Sequence, residues 1–137
     1  MIIKQLKALT KQEHIDYWIE TARHDWRAGQ NMFKSKDYVH ALFFAHLVLE
    51  KLLKAHWIKD NKGNHPPKIH NLILLAAGIS YSFTDDERVF LGRMNDFQLE
   101  GRYPDYSQAI YKSYKQKETE PILQEVERIR KCLLKSL

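Results

Sequence analysis

The chain has 137 residues, 44% hydrophobic and 12% aromatic, a balance that excludes a disordered class and leads us to expect one domain over 1–137. Four Pro and five Gly leave little material for a loop-rich fold. The formal charge of +5 favours anionic partners such as a nucleotide, RNA or an acidic protein surface, yet no block of five like charges occurs, which argues against a nucleic-acid-binding tail.

Cys132 is the only cysteine, so no intramolecular disulfide can form and no thiolate metal site can be assembled; a reducing, cytoplasmic setting is the default. The opening MIIKQLKALTK has too short an apolar run for a signal peptide, and no stretch approaches the ~20 apolar residues that span a bilayer, so no membrane association is expected.

In chain order, Thr10-Lys-Gln-Glu13 has the form of a capping box, and Ile15, Trp18, Ala22, Trp26, Gly29 and Phe33 then recur at helical spacing. This predicts a first helix over about 11–34, with Glu20, Arg23, His24, Asp25 and Arg27 as a solvated mixed-charge row. Ser35-Lys36-Asp37 breaks the pattern. From Asp37 to Asp60 there is no Gly or Pro; Leu42, Ala45, Leu49 and Leu52 make one apolar face, and Phe43, Phe44, Val48, Leu53 and Trp57 broaden it. A helix apolar on more than one side belongs at the centre of a bundle, and the short connection predicts an antiparallel hairpin with the first helix.

Gly63 and Pro66-Pro67 end that helix. His70 to Gly78 reads as a short, mostly buried third helix. Thr84-Asp-Asp-Glu87 is a second capping box, opening a fourth helix over about 85–99 with Val89, Phe90, Met94 and Phe97 on its stripe. Gly101-Arg-Tyr-Pro-Asp-Tyr106 is an aromatic-basic loop in which Pro104 restrains Tyr103 to extended geometry. Ser107 to Lys117 is expected to carry a loose helical turn or wrap the bundle. Thr119-Glu-Pro121 resembles a helix start, and Ile122, Val126, Ile129 and Leu133 form the stripe of a fifth helix over about 119–135. The fold class is all-α, an up-and-down bundle of four to five helices.

The long helix ending in LEKLLKAHWI, a Pro-containing loop, the HNLxxL start at His70 and RYPDY at 102–106 occur in an order that resembles the HEPN domain family, over about 12–135. The resemblance implies a bundle related to the C-terminal domain of kanamycin nucleotidyltransferase, usually homodimeric, and a minimal nucleotidyltransferase as partner in a toxin-antitoxin-like pair. In the family's ribonuclease branch, an Arg followed four to six residues later by His supplies the catalytic pair. Here Arg23 is adjacent to His24, Arg27 precedes His40 by thirteen positions, and every later Arg follows His70, so the motif is absent. The expectation leans away from an enzyme, and no cofactor is expected.

Arg102, Tyr103 and Asp105 form the leading candidate site: a guanidinium can grip a phosphate while an adjacent aromatic stacks on a base. The alternative is that Arg102 pairs with Asp105 or Asp96 and Tyr103 fills the bundle end. His70 and Asn71 could offer free backbone amides and a side chain to a phosphate, or simply cap the third helix. His46, Glu50 and Lys54, one turn apart, are secondary candidates, either an acid-base group or an ion-paired face. His65 and His70 have no acid or thiol between them, so no metal is expected. Two function classes stand beside nucleotide or RNA binding: a metal-independent ribonuclease using a pair such as His70 with Arg102, and a purely structural partner subunit.

Overall fold

The computed structural model describes residues 8–105 and 108–137. Tyr106, the last residue of RYPDY, and Ser107 lie outside the described residues, as does the opening run 1–7. Among the described residues all regular structure is helical: α1 (Lys11–Lys34), α2 (Tyr38–Asp60), α3 (Leu72–Ala77), α4 (Asp85–Met94) continued by a 3-10 turn (Asn95–Phe97), α5 (Ala109–Ser113) and α6 (Gln116–Lys135). No helix among them is long and apolar enough to cross a membrane.

The organising element is α2. Fourteen of its 23 residues are buried, on every side of the helix, because α1, α3, the 3-10 turn, α5 and α6 all pack against it. Leu42, Leu49, Leu52 and Leu53 are fully enclosed and meet Ala22 and Trp26 of α1, Leu91 and Met94 of α4, and Val126, Ile129 and Leu133 of α6. The α1–α2 hairpin closes tightly at Gly29, where an added Cβ would come within 3.2 Å of the Phe44 Cβ. Glycine lets the two helices come this close without crowding, whereas a methyl group there would push the Phe44 side by a few tenths of an ångström.

The capping boxes form where the sequence placed them. Thr10 accepts from the Glu13 N–H while Glu13 accepts from the Thr10 N–H. Thr84 and Glu87 reciprocate in the same way, and Glu87 also accepts from Arg128 of α6 at 3.0 Å, tying α4 to α6.

Several expectations need correction. Helix three begins at Leu72 rather than His70, and only Leu72 and Leu75 are buried; Leu74 is 59% exposed, because a helix of fewer than two turns can bury only one edge. Helix four stops at Met94, where the 3-10 turn redirects the chain, and Val89 is 65% exposed while Leu91 fills the core in its stead. The last helix starts at Gln116, three residues early. Pro121 therefore lies in its second turn and offers no N–H to the Lys117 carbonyl one turn back, a loss made small by the exposure of Lys117. Asp25 is not merely solvated, for its carboxylate accepts from Lys51 of α2.

The carboxyl end of α2 is closed by a single cation. Lys11 Nζ shares its three N–H groups among the carbonyls of Ile58 (2.8 Å), a last-turn acceptor of α2, and of Asn61 (2.8 Å), Lys62 (3.3 Å) and Gly63 (3.2 Å) just beyond it, a cation at the negative end of the helix dipole. Lys11→Met keeps the stem and removes those bonds. It is expected to lower stability by about 1–2 kcal/mol in urea unfolding with an unchanged slope; an unchanged midpoint would show that the clasp contributes nothing.

Candidate functional site

Beside α3 and the 3-10 turn, a cleft of about 320 Å³ is lined by His70, Asn71, Asn95, Asp96, Gln98 and Arg102, with Gly101 at its edge. Three of the sequence-derived candidates, His70, Asn71 and Arg102, thus meet in one place although the first and last stand 32 positions apart in the chain. Tyr103 and Asp105 do not line it. Tyr103 is 92% exposed, so it does not fill the bundle end, and an Asp105 carboxylate oxygen accepts from the Ala109 N–H at the start of α5.

The amino end of α3 is capped and not open. Asn71 Oδ1 accepts from the N–H groups of Ile73 (2.9 Å) and Leu74 (3.2 Å), and Asn95 Oδ1 accepts from that of Leu72 (2.9 Å). Of the two readings of His70-Asn71, capping is the one the geometry bears out for Asn71, and free backbone amides have no part in the cleft. Asn95 Nδ2 also donates to Asn71 Oδ1 at 3.2 Å, so the two asparagines lock α3 to the 3-10 turn. Asn95 escapes the sequence reading because the period of helix four runs through it; a polar residue between Met94 and Phe97 is the available signal.

Arg102 Nη1 donates to the Asp96 backbone carbonyl at 2.7 Å. This bond orients the guanidinium without neutralising it, since a carbonyl carries no compensating charge. Gln98 is 8% exposed; its Oε1 accepts from the Glu100 N–H, while its Nε2 is buried without a partner among the described residues.

Behind His70 stands the third group of candidates. His70 Nδ1 lies 3.0 Å from Glu50 Oε1, Lys54 Nζ 3.1 Å from Glu50 Oε2, and His46 Nδ1 3.8 Å from Glu50 Oε1. His46, Glu50 and Lys54 are buried, and the Lys54 ammonium lies over the Trp18 ring of α1, 5.4 Å from its centroid. Glu50 and Lys54 are therefore an interior ion pair that reaches the cleft through His70, with an uncharged His46 beside them. Neither the Glu50–His70 contact nor the burial could be read from i, i+4 spacing. His46 has no hydrogen bond at either ring nitrogen among the described residues. Its burial pushes the imidazole below the ordinary value, more than the Glu50 carboxylate and the nearby Asn95 and His70 groups draw it back up. His65 lies apart, edge-on to His14, and no three His, Cys, Asp or Glu side chains are placed to hold a metal ion among the described residues.

This helical frame and the order of its segments match a known family. The HEPN domain profile matches residues 15–137, and the chain belongs to the HEPN domain family. The crystal structure of TT1696 from Thermus thermophilus has a similar fold, with a TM-score of 0.75 at 24% identity over 90% of this chain and 98% of that one. No curated protein matches the chain.

Glu50→Gln leaves the Lys54 ammonium buried without its anion and weakens the anchor on His70. Breaking one partner of a buried pair costs about 3–5 kcal/mol, so the variant is expected to unfold at much lower urea, whereas His70→Ala, at a half-exposed position, should be near neutral. Equal midpoints for Glu50→Gln and wild type would refute the buried-hub reading. The buried histidines also set a pH dependence. Burial lowers both His46 and His56 from an ordinary value of 6.5, so each stays neutral in the fold while the unfolded chain takes up a proton. Their contribution is whole above that value and declines as pH falls below it, by about 1.4 kcal/mol per pH unit for each until the depressed folded value is reached. Unfolding measured from about pH 7.5 to about 5.5 should show this slope, and it should shrink in His46→Gln and His56→Gln; identical slopes in all three proteins would exclude the histidines as its source.

Proposed function

We propose that this HEPN protein is a one-domain, cytoplasmic homodimer that binds a nucleotide or an RNA phosphate in the His70–Arg102 cleft. It would act with a minimal nucleotidyltransferase as a toxin-antitoxin-like pair. The observation that carries the reading is the convergence of Arg102, His70 and two asparagines on one cleft. A guanidinium fixed by a carbonyl and still charged is suited to phosphate, and amide side chains beside it can bond sugar hydroxyls or base edges. The Asp96 side chain in the lining tempers the positive potential and suits a ligand that also carries donors.

A second reading is favoured by one distance. With Nδ1 held 3.0 Å from Glu50 Oε1, His70 has the base-and-orienter geometry of a general base, its other ring nitrogen carrying the lone pair. On RNA that nitrogen would take the 2′-hydroxyl proton, the 2′-oxygen would attack phosphorus, and the P–O5′ bond would break with the 5′-oxygen taking a proton from solvent water, giving a 2′,3′-cyclic phosphate. Arg102 would then offset the charge that develops on phosphorus.

Titration of ATP and a short RNA decides the first reading. Arg102→Ala should weaken both by about tenfold or more, the effect of removing one charge-assisted phosphate contact; equal affinities would remove the cleft as the site. For the second, cyclic-phosphate ends should accumulate with wild type in chelator and vanish with His70→Ala, and intact RNA at high protein concentration would exclude hydrolysis. Co-purification with the nucleotidyltransferase without any ligand binding would indicate a structural subunit.

A further inference from the structure

A second cavity, of about 180 Å³, opens between the α1–α2 connection and the α5–α6 connection, lined by Lys36, Asp37, His40, Tyr111, Tyr114 and Lys115. Four lysines of the bundle are engaged internally, Lys51 by Asp25, Lys54 by Glu50, Lys59 by the Ser136 carbonyl and Lys11 by carbonyls at and just beyond the end of α2, while Lys62, Lys68 and Lys135 are exposed and dispersed. Lys36 and Lys115 have no ion-pair partner among the described residues, and the Asp37 carboxylate makes no capping bond to α2. Exposed Lys34, Lys112 and Lys117 flank the lining in sequence.

Lys36 is also held where a lysine is not favoured. It closes α1 in a left-handed conformation, φ 66°, with its N–H donating to the Phe33 carbonyl (3.0 Å) and the Asp37 N–H to that of Met32 (2.9 Å). Glycine is the favoured residue at this position of a helix end. Rings stand beside these charges. Tyr111, 40% exposed, lies 6.0 Å from the His40 ring centroid at 40°, and Tyr114 is fixed edge-on against core residue Phe97 at 4.9 Å. Unpaired cations next to an exposed aromatic face supply the two contacts that a nucleotide needs, charge for the phosphate and a surface for the base.

We propose that this cavity is a second ligand site, taking a phosphate attached to an aromatic base: Lys36 and Lys115 hold the phosphate, and Tyr111 with His40 provides the surface on which the base stacks. The site does not depend on the Arg102 cleft, although the two are neighbours. Asp96, in the lining of that cleft, and Tyr114, in the lining of this cavity, share a small groove with Phe97. Along α2, His40 precedes Glu50 by ten residues, about 15 Å of helix, within reach of a short single strand. The ligand chemistry is common to two sources, a free mononucleotide and a single-stranded oligonucleotide.

Calorimetric titration in an Arg102→Ala background, which removes the first cleft, tests the second site alone. The probes are AMP, adenosine, inorganic phosphate and a short oligoadenylate. AMP should bind more tightly than adenosine or phosphate, and Lys36→Gly, Lys115→Gln and Tyr111→Ala should each weaken it about tenfold. Lys36→Gly keeps the experiment clear of folding defects, because relief of the left-handed lysine should raise its melting temperature while binding falls. If the oligoadenylate binds wild type more tightly than AMP and loses affinity in both Arg102→Ala and Lys36→Gly, the ligand is a strand; if the two probes bind equally, it is a mononucleotide. No AMP or oligoadenylate binding in the Arg102→Ala background, or affinity unchanged by the three cavity substitutions, would overturn the proposal. Arg102→Ala against wild type tests the first cleft separately, so either site can fail without the other.

Discussion

One buried carboxylate ties the cleft to the interior of the bundle. Glu50 sits on the most enclosed helix of the fold, where an unpaired charge would be very unfavourable, and its two oxygens are met by Lys54 at one side and His70 at the other. The pairing with Lys54 stays within α2 and extends through the ammonium to the Trp18 ring of α1. The pairing with His70 leaves the helix and fixes a residue of the α2–α3 loop. An electrostatic requirement of the interior thereby positions a titratable ring at the surface.

The loop so anchored is held again from the other direction. Asn71 caps α3 and is bonded by Asn95, whose own carbonyl oxygen takes the Leu72 N–H, so α3 and the 3-10 turn move as one piece. Arg102 is fastened to the same turn through the Asp96 carbonyl. The side chains of His70, Asn71, Asn95, Gln98 and Arg102 are therefore each tied to backbone or to a neighbouring side chain, and only His70 among them bonds to α2 directly. Such preorganisation leaves the cleft side chains already in place, so that the proposed binding would not have to order them.

The helical frame was largely legible in the sequence because its signals are local. Apolar period, the Thr10–Glu13 and Thr84–Glu87 boxes and the breaks at Ser35 and Gly63 each act within a few residues, and α1 and α2 follow them closely. Pro121 misled, since a proline early in a helix marks its first turn only by preference, and Lys117, on an exposed first turn, tolerates losing a bond. The candidate site was legible as residues but not as a place. His70 and Arg102 could be named from their types and neighbours, whereas the contact of Glu50 with His70 and the role of Asn95 arise from packing between segments distant in sequence, which no spacing rule encodes.

The distribution of cations carries a further argument. In this bundle many basic groups are held by acids or carbonyls: Lys11 closes a helix end, Arg128 bridges Glu87 and Glu125, Lys54 answers Glu50. A net charge of +5 must then reside in the groups that are not neutralised. Arg102 is bonded to a carbonyl, which carries no compensating charge, and Lys36 with Lys115 faces an aromatic cavity without an ion-pair partner among the described residues. The cleft and the cavity adjoin one groove, lined by Asp96, Phe97 and Tyr114, and each sets its cations beside one carboxylate, Asp96 in the first and Asp37 in the second. Excess charge of one sign gathered beside concave, partly aromatic surface attracts anions with planar groups and steers their approach, a property that overall composition alone does not confer.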